Sequence, residues 1–210
     1  VDGSAYSLNP SGDSEQELYN KIGGKEVLSA LVYKMIISSS NLATNIVIDM
    51  VDANAVTQTM HELGAKDIRV VRGVEDTKAF VKGLNNTVTA YDLMVIYEKM
   101  AKGEIVDQKA SQAMIEILLD QRFNTIMPAR LLEGVRVAHK TGNITGVLHD
   151  SGIVFLPDGR KYVLVLLSKD LKDAEGAKEA MAKVSELLYQ HLVGKDQGSK
   201  EPEFKGHTNN

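Results

Sequence analysis

The chain has no cysteine, and only 4 of its 210 residues are proline. Without cysteine there is no disulfide framework and no thiolate to hold zinc or carry redox chemistry. This leaves the compartment open, because many exported bacterial proteins also lack cysteine. No apolar run approaches the ~20 residues needed to cross a bilayer. Excess positive charge is missing too: 24 Lys and Arg against 28 Asp and Glu give a net charge of −4. Neither nucleic acid nor a basic membrane-facing surface is therefore expected as a partner. The start, Val1-Asp2-Gly3-Ser4, has neither the basic residues nor the apolar stretch of a signal peptide. It also lacks an initiator methionine, which predicts a processed product or a fragment.

What remains is ordinary for a globular protein, with 43% apolar and 25% charged residues. The length suits one or two small domains with a sizeable core. Residues 1 to about 24 are polar and turn-rich, with a short acidic stretch from Asp13 to Glu17. Val27, Leu28, Leu31, Val32, Met35 and Ile36 then recur at helical spacing until Ser38, Ser39 and Ser40 interrupt them. A second helix is expected to start at these serines, whose hydroxyls can accept from free N–H groups. Asp52 suits the cap of a third helix ending near Gly64. Residues 65 to 88 read as a long connection with two extended pieces, Ile68 to Val71 and Phe80-Val81.

Thr89 followed by Asp92 resembles a helix start, and a further helix is expected from Asp107 to about Leu119. The pattern then changes to strands at Val135 to His139, Gly152 to Phe155 and Tyr162 to Leu167. Pro157-Asp158-Gly159-Arg160 supplies turn chemistry between the last two. A final helix is expected over about Asp173 to Val193. Helices, then strands, then one helix predict an α+β fold. Residues 1–120 would form a mostly helical subdomain, and 121–193 a small antiparallel sheet covered by the C-terminal helix. Residues 194–210 read as a flexible tail. The methionines fall mostly on helical stripes, where they read as gap-filling core.

Two short motifs carry chemistry: Ser39-Ser40-Asn41 and Lys140-Thr141-Gly142. Each sets a hydroxyl beside a group able to manage a proton or an anion, as acyl transfer requires. Taken singly they are weak signals. Ser39 alone reads as a helix N-cap, Asn41 as an ordinary helix-start residue, and Lys140-Thr141-Gly142 as an exposed strand end. His139, His149 and Asp150 have no usual zinc spacing and no third ligand beside them, so no metal and no cofactor is expected.

Context strengthens the pair. Met35 to Asn45, with Ser39, Asn41 and the later Asn45, resembles the Ser-Asp-Asn region of class A serine β-lactamases, among the penicillin-recognising serine hydrolases. Val137 to Gly142 with His149-Asp150-Ser151-Gly152-Ile153 resembles the strand and hairpin that carry the Lys-Thr-Gly motif there. Gly83 to Ala90 is similar to the end of that family's Ω-loop and its next helix start. The likeness runs in order from near residue 1 to about 193 and implies a β-lactamase/transpeptidase-like fold.

The resemblance implies roles residue by residue. Ser39 would relay a proton to the β-lactam nitrogen. Asn41 would bond the substrate's side-chain amide. Lys140 would raise the local positive potential and support Ser39. Thr141 would help hold the substrate carboxylate, with Gly142 leaving room for it. The backbone N–H following the motif, at Asn143, would form half of the oxyanion hole. Glu75 would be the deacylating carboxylate, although the family's Arg-x-Glu pattern then needs a one-residue shift from Arg72. Ser40 stands where the family has an aspartate, removing a carboxylate that normally ties that loop.

The third signature, Ser-x-x-Lys, supplies the nucleophile, and no serine here has lysine three places on. The N-terminal strands and the nucleophile helix are therefore expected to be missing. Three functions follow. The first is a serine β-lactamase whose chain is a fragment inactive alone. The second is a DD-peptidase or penicillin-binding protein, and the third a non-catalytic binding module of the same fold. The implied partner is a small-molecule β-lactam or a peptidoglycan-like peptide, together with the missing N-terminal segment. The implied location is periplasmic or secreted.

Overall fold

A three-stranded antiparallel sheet in the order β1-β2-β3 organises the second half of the molecule. The computed structural model describes residues 8–197. Its strands are β1 (Val137–Ile144), β2 (Val147–Phe155) and β3 (Lys161–Ser168). The helices, in chain order, are α1 (Leu28–Ile37), α2 (Asn41–Val51), α3 (Ala53–Glu62), α4 (Thr77–Val81), α5 (Ala90–Lys102), α6 (Gln108–Leu119) and α7 (Ala174–Gln197). Alternation along the strands sends successive side chains to opposite faces. Ala138 and Ile153 pack with Tyr97, Met100, Ile115 and Leu118 from α5 and α6. Val137 and Val154 pack on the other face with Met127, Leu156 and Tyr189 of α7. A separate cluster of Leu18, Leu31, Leu42 and Ala43 joins the N-terminal segment to α1 and α2.

Local chemistry explains most helix ends. Asp52 accepts from the N–H groups of Asn54 and Ala55 and so starts α3. Thr89 and Asp92 form a reciprocal capping box on α5, and Gly103 ends that helix in the left-handed region. Asp107 caps α6 through Ala110 N–H.

Several boundaries differ from the sequence reading. Phe80 and Val81, expected to be extended, lie in α4, because Asp76 caps that turn through Ala79 N–H. Of the other extended piece, Arg69 forms an isolated antiparallel bridge with Thr87. Strand β1 does not stop at His139 but runs through the Lys-Thr-Gly motif to Ile144. Strand β2 begins at Val147, five residues before the expected start. A tight turn closes this hairpin: Ile144 pairs with Val147, and Gly146 takes φ 72. His149 and Asp150 interrupt the apolar alternation that marks a strand, yet Asp150 and His139 satisfy each other inside the core. Helix α7 continues to Gln197, and residues 198–210 of the expected tail lie outside the described residues.

Candidate functional site

Ser39 and Lys140 come together although they lie 101 residues apart, with Lys140 Nζ donating to Ser39 Oγ at 2.8 Å. The same ammonium donates to the Thr141 carbonyl at 2.7 Å. Burial of the ammonium pushes the Lys140 pKa down to about 8, while the Asp150 carboxylate pulls the other way. At neutral pH it is therefore a cation that gives up its proton more readily than an ordinary lysine.

The local fold delivers Ser39 to this partner. Residue 40, not residue 39, caps α2: Ser40 Oγ accepts from Ala43 N–H at 3.2 Å and is fully buried. Ser39 is thus free of capping duty. It takes φ 54 just past the end of α1, a left-handed position where glycine is the usual occupant. The buried Gln121 fixes the distance between helix and strand, donating to the Ile36 carbonyl at 3.0 Å and the His139 carbonyl at 3.5 Å. No pattern in the sequence marks Gln121 for this work.

The carboxylate that Ser40 does not supply comes from elsewhere. Asp13 Oδ2 accepts from Leu42 N–H at 3.1 Å and from the Tyr19 hydroxyl at 2.9 Å. The short acidic stretch is thus partly buried structure. Glu15, only 6% exposed, pairs with Lys34 of α1 at 2.9 Å. Turn 39–41 is tied down by a distant aspartate and a local hydroxyl together.

A groove of about 480 Å³ opens beside this turn, with Ser39, Asn41, Glu75, Phe80, Asn143 and Ile144 among its lining residues. Asn41 Nδ2 donates to Glu75 Oε1 at 3.3 Å, and Glu75 Oε2 accepts from Asn9 N–H at 3.1 Å. Both oxygens of Glu75 are thus occupied, and Glu75 itself sits at φ 57. The buried Asn45 grips the preceding residue through both backbone groups of Val74. Lys140, Thr141 and Gly142 precede Asn143 on β1 and do not line the groove, which Lys140 meets only through its bond to Ser39. His139 and Asp150, set aside in the sequence as metal ligands and counted in the family-like hairpin, form a buried pair at 2.8 Å on the opposite face of the sheet from Lys140.

A model of the "Beta-lactamase enzyme family" matches residues 12–192. The chain belongs to this family. Among curated relatives, the extended-spectrum β-lactamase PER-1 of Pseudomonas aeruginosa is 26% identical over 171 residues, covering 75% of this chain and 54% of the relative. The chain therefore spans about half the length of that relative. Among solved structures, PBP-A is 30% identical with a TM-score of 0.72, over 80% of this chain and 62% of that one. The β-lactamase from Sphaerobacter thermophilus DSM 20745 is 28% identical with a TM-score of 0.73, over 82% and 65% of the two chains. TLA-3 extended-spectrum β-lactamase has a TM-score of 0.78 at 21% identity, over 87% and 71%, which shows the shared fold alone. Within this family fold the three-stranded sheet, the helical part and the covering C-terminal helix are the described portion. No helix among the described residues is long and apolar enough to cross a membrane.

Proposed function

We propose that the groove beside Ser39 and Lys140 is the substrate-holding half of a serine acyl-transfer site that accepts β-lactams. One observation carries this reading: the 2.8 Å bond between Lys140 Nζ and Ser39 Oγ joins the two signature motifs into one proton-handling pair. Ser39 passes its proton to the nitrogen leaving the acyl carbon and is resupplied by Lys140. Asn41 bonds an amide of the substrate. Lys140 and Thr141 attract the substrate carboxylate, Gly142 leaves room for it, and Asn143 N–H faces the developing oxyanion.

Because none of the 210 residues provides Ser-x-x-Lys, this polypeptide by itself binds without forming an acyl-enzyme. The test is titration of benzylpenicillin into the 15N-labelled chain, with intact mass measured alongside. Expected are saturable shifts at Asn41, Lys140 and Asn143, weakened in Lys140→Ala, with no mass added. Shifts confined to another surface would reject the site, and a covalent penicilloyl adduct would reject the missing-nucleophile reading. Periplasmic or secreted placement and a complementing N-terminal segment belong to the same proposal and rest on family membership.

The second reading is a penicillin-binding protein or DD-peptidase. It is favoured by Glu75, whose two oxygens each accept a hydrogen bond already, from Asn41 and Asn9, which makes the carboxylate a weaker base toward water. A variant of PBP-A has been solved as an acyl-enzyme complex with penicillin G, and that protein is among this chain's solved neighbours. An acyl-D-Ala-D-Ala peptide that displaces benzylpenicillin from the same residues would support this reading. A peptide without effect at saturating penicillin-competitive concentrations would favour the β-lactamase.

A further inference from the structure

The buried pair beneath the signature strand has a hydrogen-bond pattern that fixes its net charge. Asn124 Nδ2 donates to the Gln121 carbonyl at 3.1 Å, which turns Asn124 Oδ1 toward His139 Nε2 at 2.9 Å. An amide oxygen only accepts, so Nε2 is a donor. On the other side of the ring, Nδ1 stands 2.8 Å from Asp150 Oδ1. Two acceptors at that separation would repel, so a second proton lies between them. Asp150 Oδ2 is occupied by Met127 N–H at 2.9 Å. The second proton can rest on the ring, giving imidazolium and carboxylate, or on the carboxyl, giving imidazole and carboxylic acid. The pair sums to zero charge either way.

This matters because His139 and Asp150 are both 0% exposed, and an uncompensated anion there would be costly and its field poorly screened. The groups bonded to the pair are neutral, the Asn124 amide and the Met127 N–H of the α6–β1 segment, while the Tyr97 hydroxyl of α5, which accepts from Ser151 Oγ at 3.4 Å, lies on the Lys140 face of the sheet. Lys140 is met by the Ser39 hydroxyl from the α1–α2 turn and by the Thr141 carbonyl of its own strand.

We propose that His139 is a positioning residue for Lys140: by sharing a proton with Asp150 it cancels that carboxylate, so Lys140 lies across the sheet from a neutral pair and not from a buried anion. Lys140 can then give its proton to Ser39. An N–H bond breaks at Lys140 and an O–H bond forms at Ser39 Oγ, as Ser39's own proton passes to the departing amide nitrogen. Burial lowers the Lys140 pKa and the Asp150 carboxylate raises it, so charge carried at Asp150 is felt at Lys140.

This inference rests on reading Ser39 and Lys140 as a proton-handling pair, but its test needs neither substrate nor turnover. Penicillin binding can therefore fail while the titration behaves as described, and the reverse. Lysine side chains of the 210-residue chain are isotopically labelled and the Lys140 titration is followed by NMR. The unaltered protein is expected to titrate near 8. His139→Asn, which cannot carry positive charge, raises the midpoint by about one pH unit. Adding Asp150→Asn brings it back. A midpoint unmoved in His139→Asn would overturn the proposal, and so would a rise that Asp150→Asn fails to reverse, as loosened packing would give. Should His139→Asn not fold, 15N-histidine spectra of the unaltered protein decide. Two exchangeable ring protons are expected at pH 7, one on Nε2 and one shared with Asp150, whereas a bare nitrogen facing Asn124 overturns it.

Discussion

Asn45, on the second turn of α2, holds Val74 from both sides: its Nδ2 donates to the Val74 carbonyl at 2.8 Å, and its Oδ1 accepts from Val74 N–H at 2.6 Å. A side-chain amide presents the donor and acceptor of a peptide group, so Asn45 acts as a one-residue strand partner for the loop. Because residue 74 is clamped, Glu75 follows with a reversed backbone and directs its carboxylate back to Asn41. The one-residue offset from Arg72 noted in the sequence thus has a spatial result: the position gripped by Asn45 carries valine, and the acid comes next.

Asn45→Ala should leave both Val74 backbone groups without partners in a site that is 0% exposed at Asn45. A loss of about 2–4 kcal/mol is expected, from one or two buried groups left unsatisfied. Asn45→Asp should be at least as harmful, since a carboxylate oxygen would then face the Val74 carbonyl. Urea unfolding measures the loss. Limited proteolysis should show cleavage of 72–76 in both variants at protease levels that spare the unaltered protein.

Gly152 lies opposite His139 in the β1–β2 pairing. A Cβ there would stand 2.2 Å from the Ala138 carbonyl oxygen and 2.7 Å from His139 Cα. Both are backbone atoms of the neighbouring strand, so no side chain can swing aside. Gly152→Ala should destabilise the protein by about 3 kcal/mol, at the upper end of overpacking costs. It should also disturb the His139–Asp150 contact, which NMR of the two residues would register. Ordinary stability with unchanged His139 resonances would show that the strands separate without strain.

All the α-helices but α4, and their order, were legible because their ends are local chemistry. Asp52, Thr89 with Asp92, Asp107 and Gly103 each act within four residues of their own position. The hairpin was misread at β2 because His149 and Asp150 look like loop residues until His139 stands beside them. Phe80 and Val81 look extended until Asp76 is seen to cap them. Ser39, Lys140 and Asn41 stood out as motifs, but the groups that position them did not. Asp13, Gln121 and Asn124 act across 29, 85 and 15 residues, and contacts at that range leave no periodic trace in a single sequence.

Lys140 carries a pH signature in stability. Its folded pKa of about 8 lies below the 10.5 of the unfolded chain. Between those values the unfolded state binds more protons, so stability rises as pH increases from about 8 toward 10.5. Below 8 both states are protonated, and the desolvation cost of the buried ammonium is present in full. Lys140→Met should remove this rise and be the more stable variant near pH 7. Unfolding free energies of the two proteins across pH 7 to 10 test it, and parallel curves would show that Lys140 is not desolvated as described. Binding of an anionic β-lactam should move oppositely, weakening as Lys140 loses its charge above 8.

Ser39 separates stability from function. Its φ of 54 is a left-handed conformation that costs a residue with a Cβ roughly 1 kcal/mol relative to glycine. Ser39→Ala keeps that cost and removes the hydroxyl that Lys140 holds. Ser39→Gly removes both the strain and the hydroxyl, though glycine returns part of the gain through the greater freedom of its unfolded chain. Ser39→Gly should therefore exceed Ser39→Ala in stability by about 0.5–1 kcal/mol. Both should lose the Lys140 contact equally, and benzylpenicillin should perturb Asn41 and Lys140 alike in the two. Equal stabilities would mean that position 39 relaxes out of the left-handed region, and the serine would then be held there by its lysine partner and not by the chain around it.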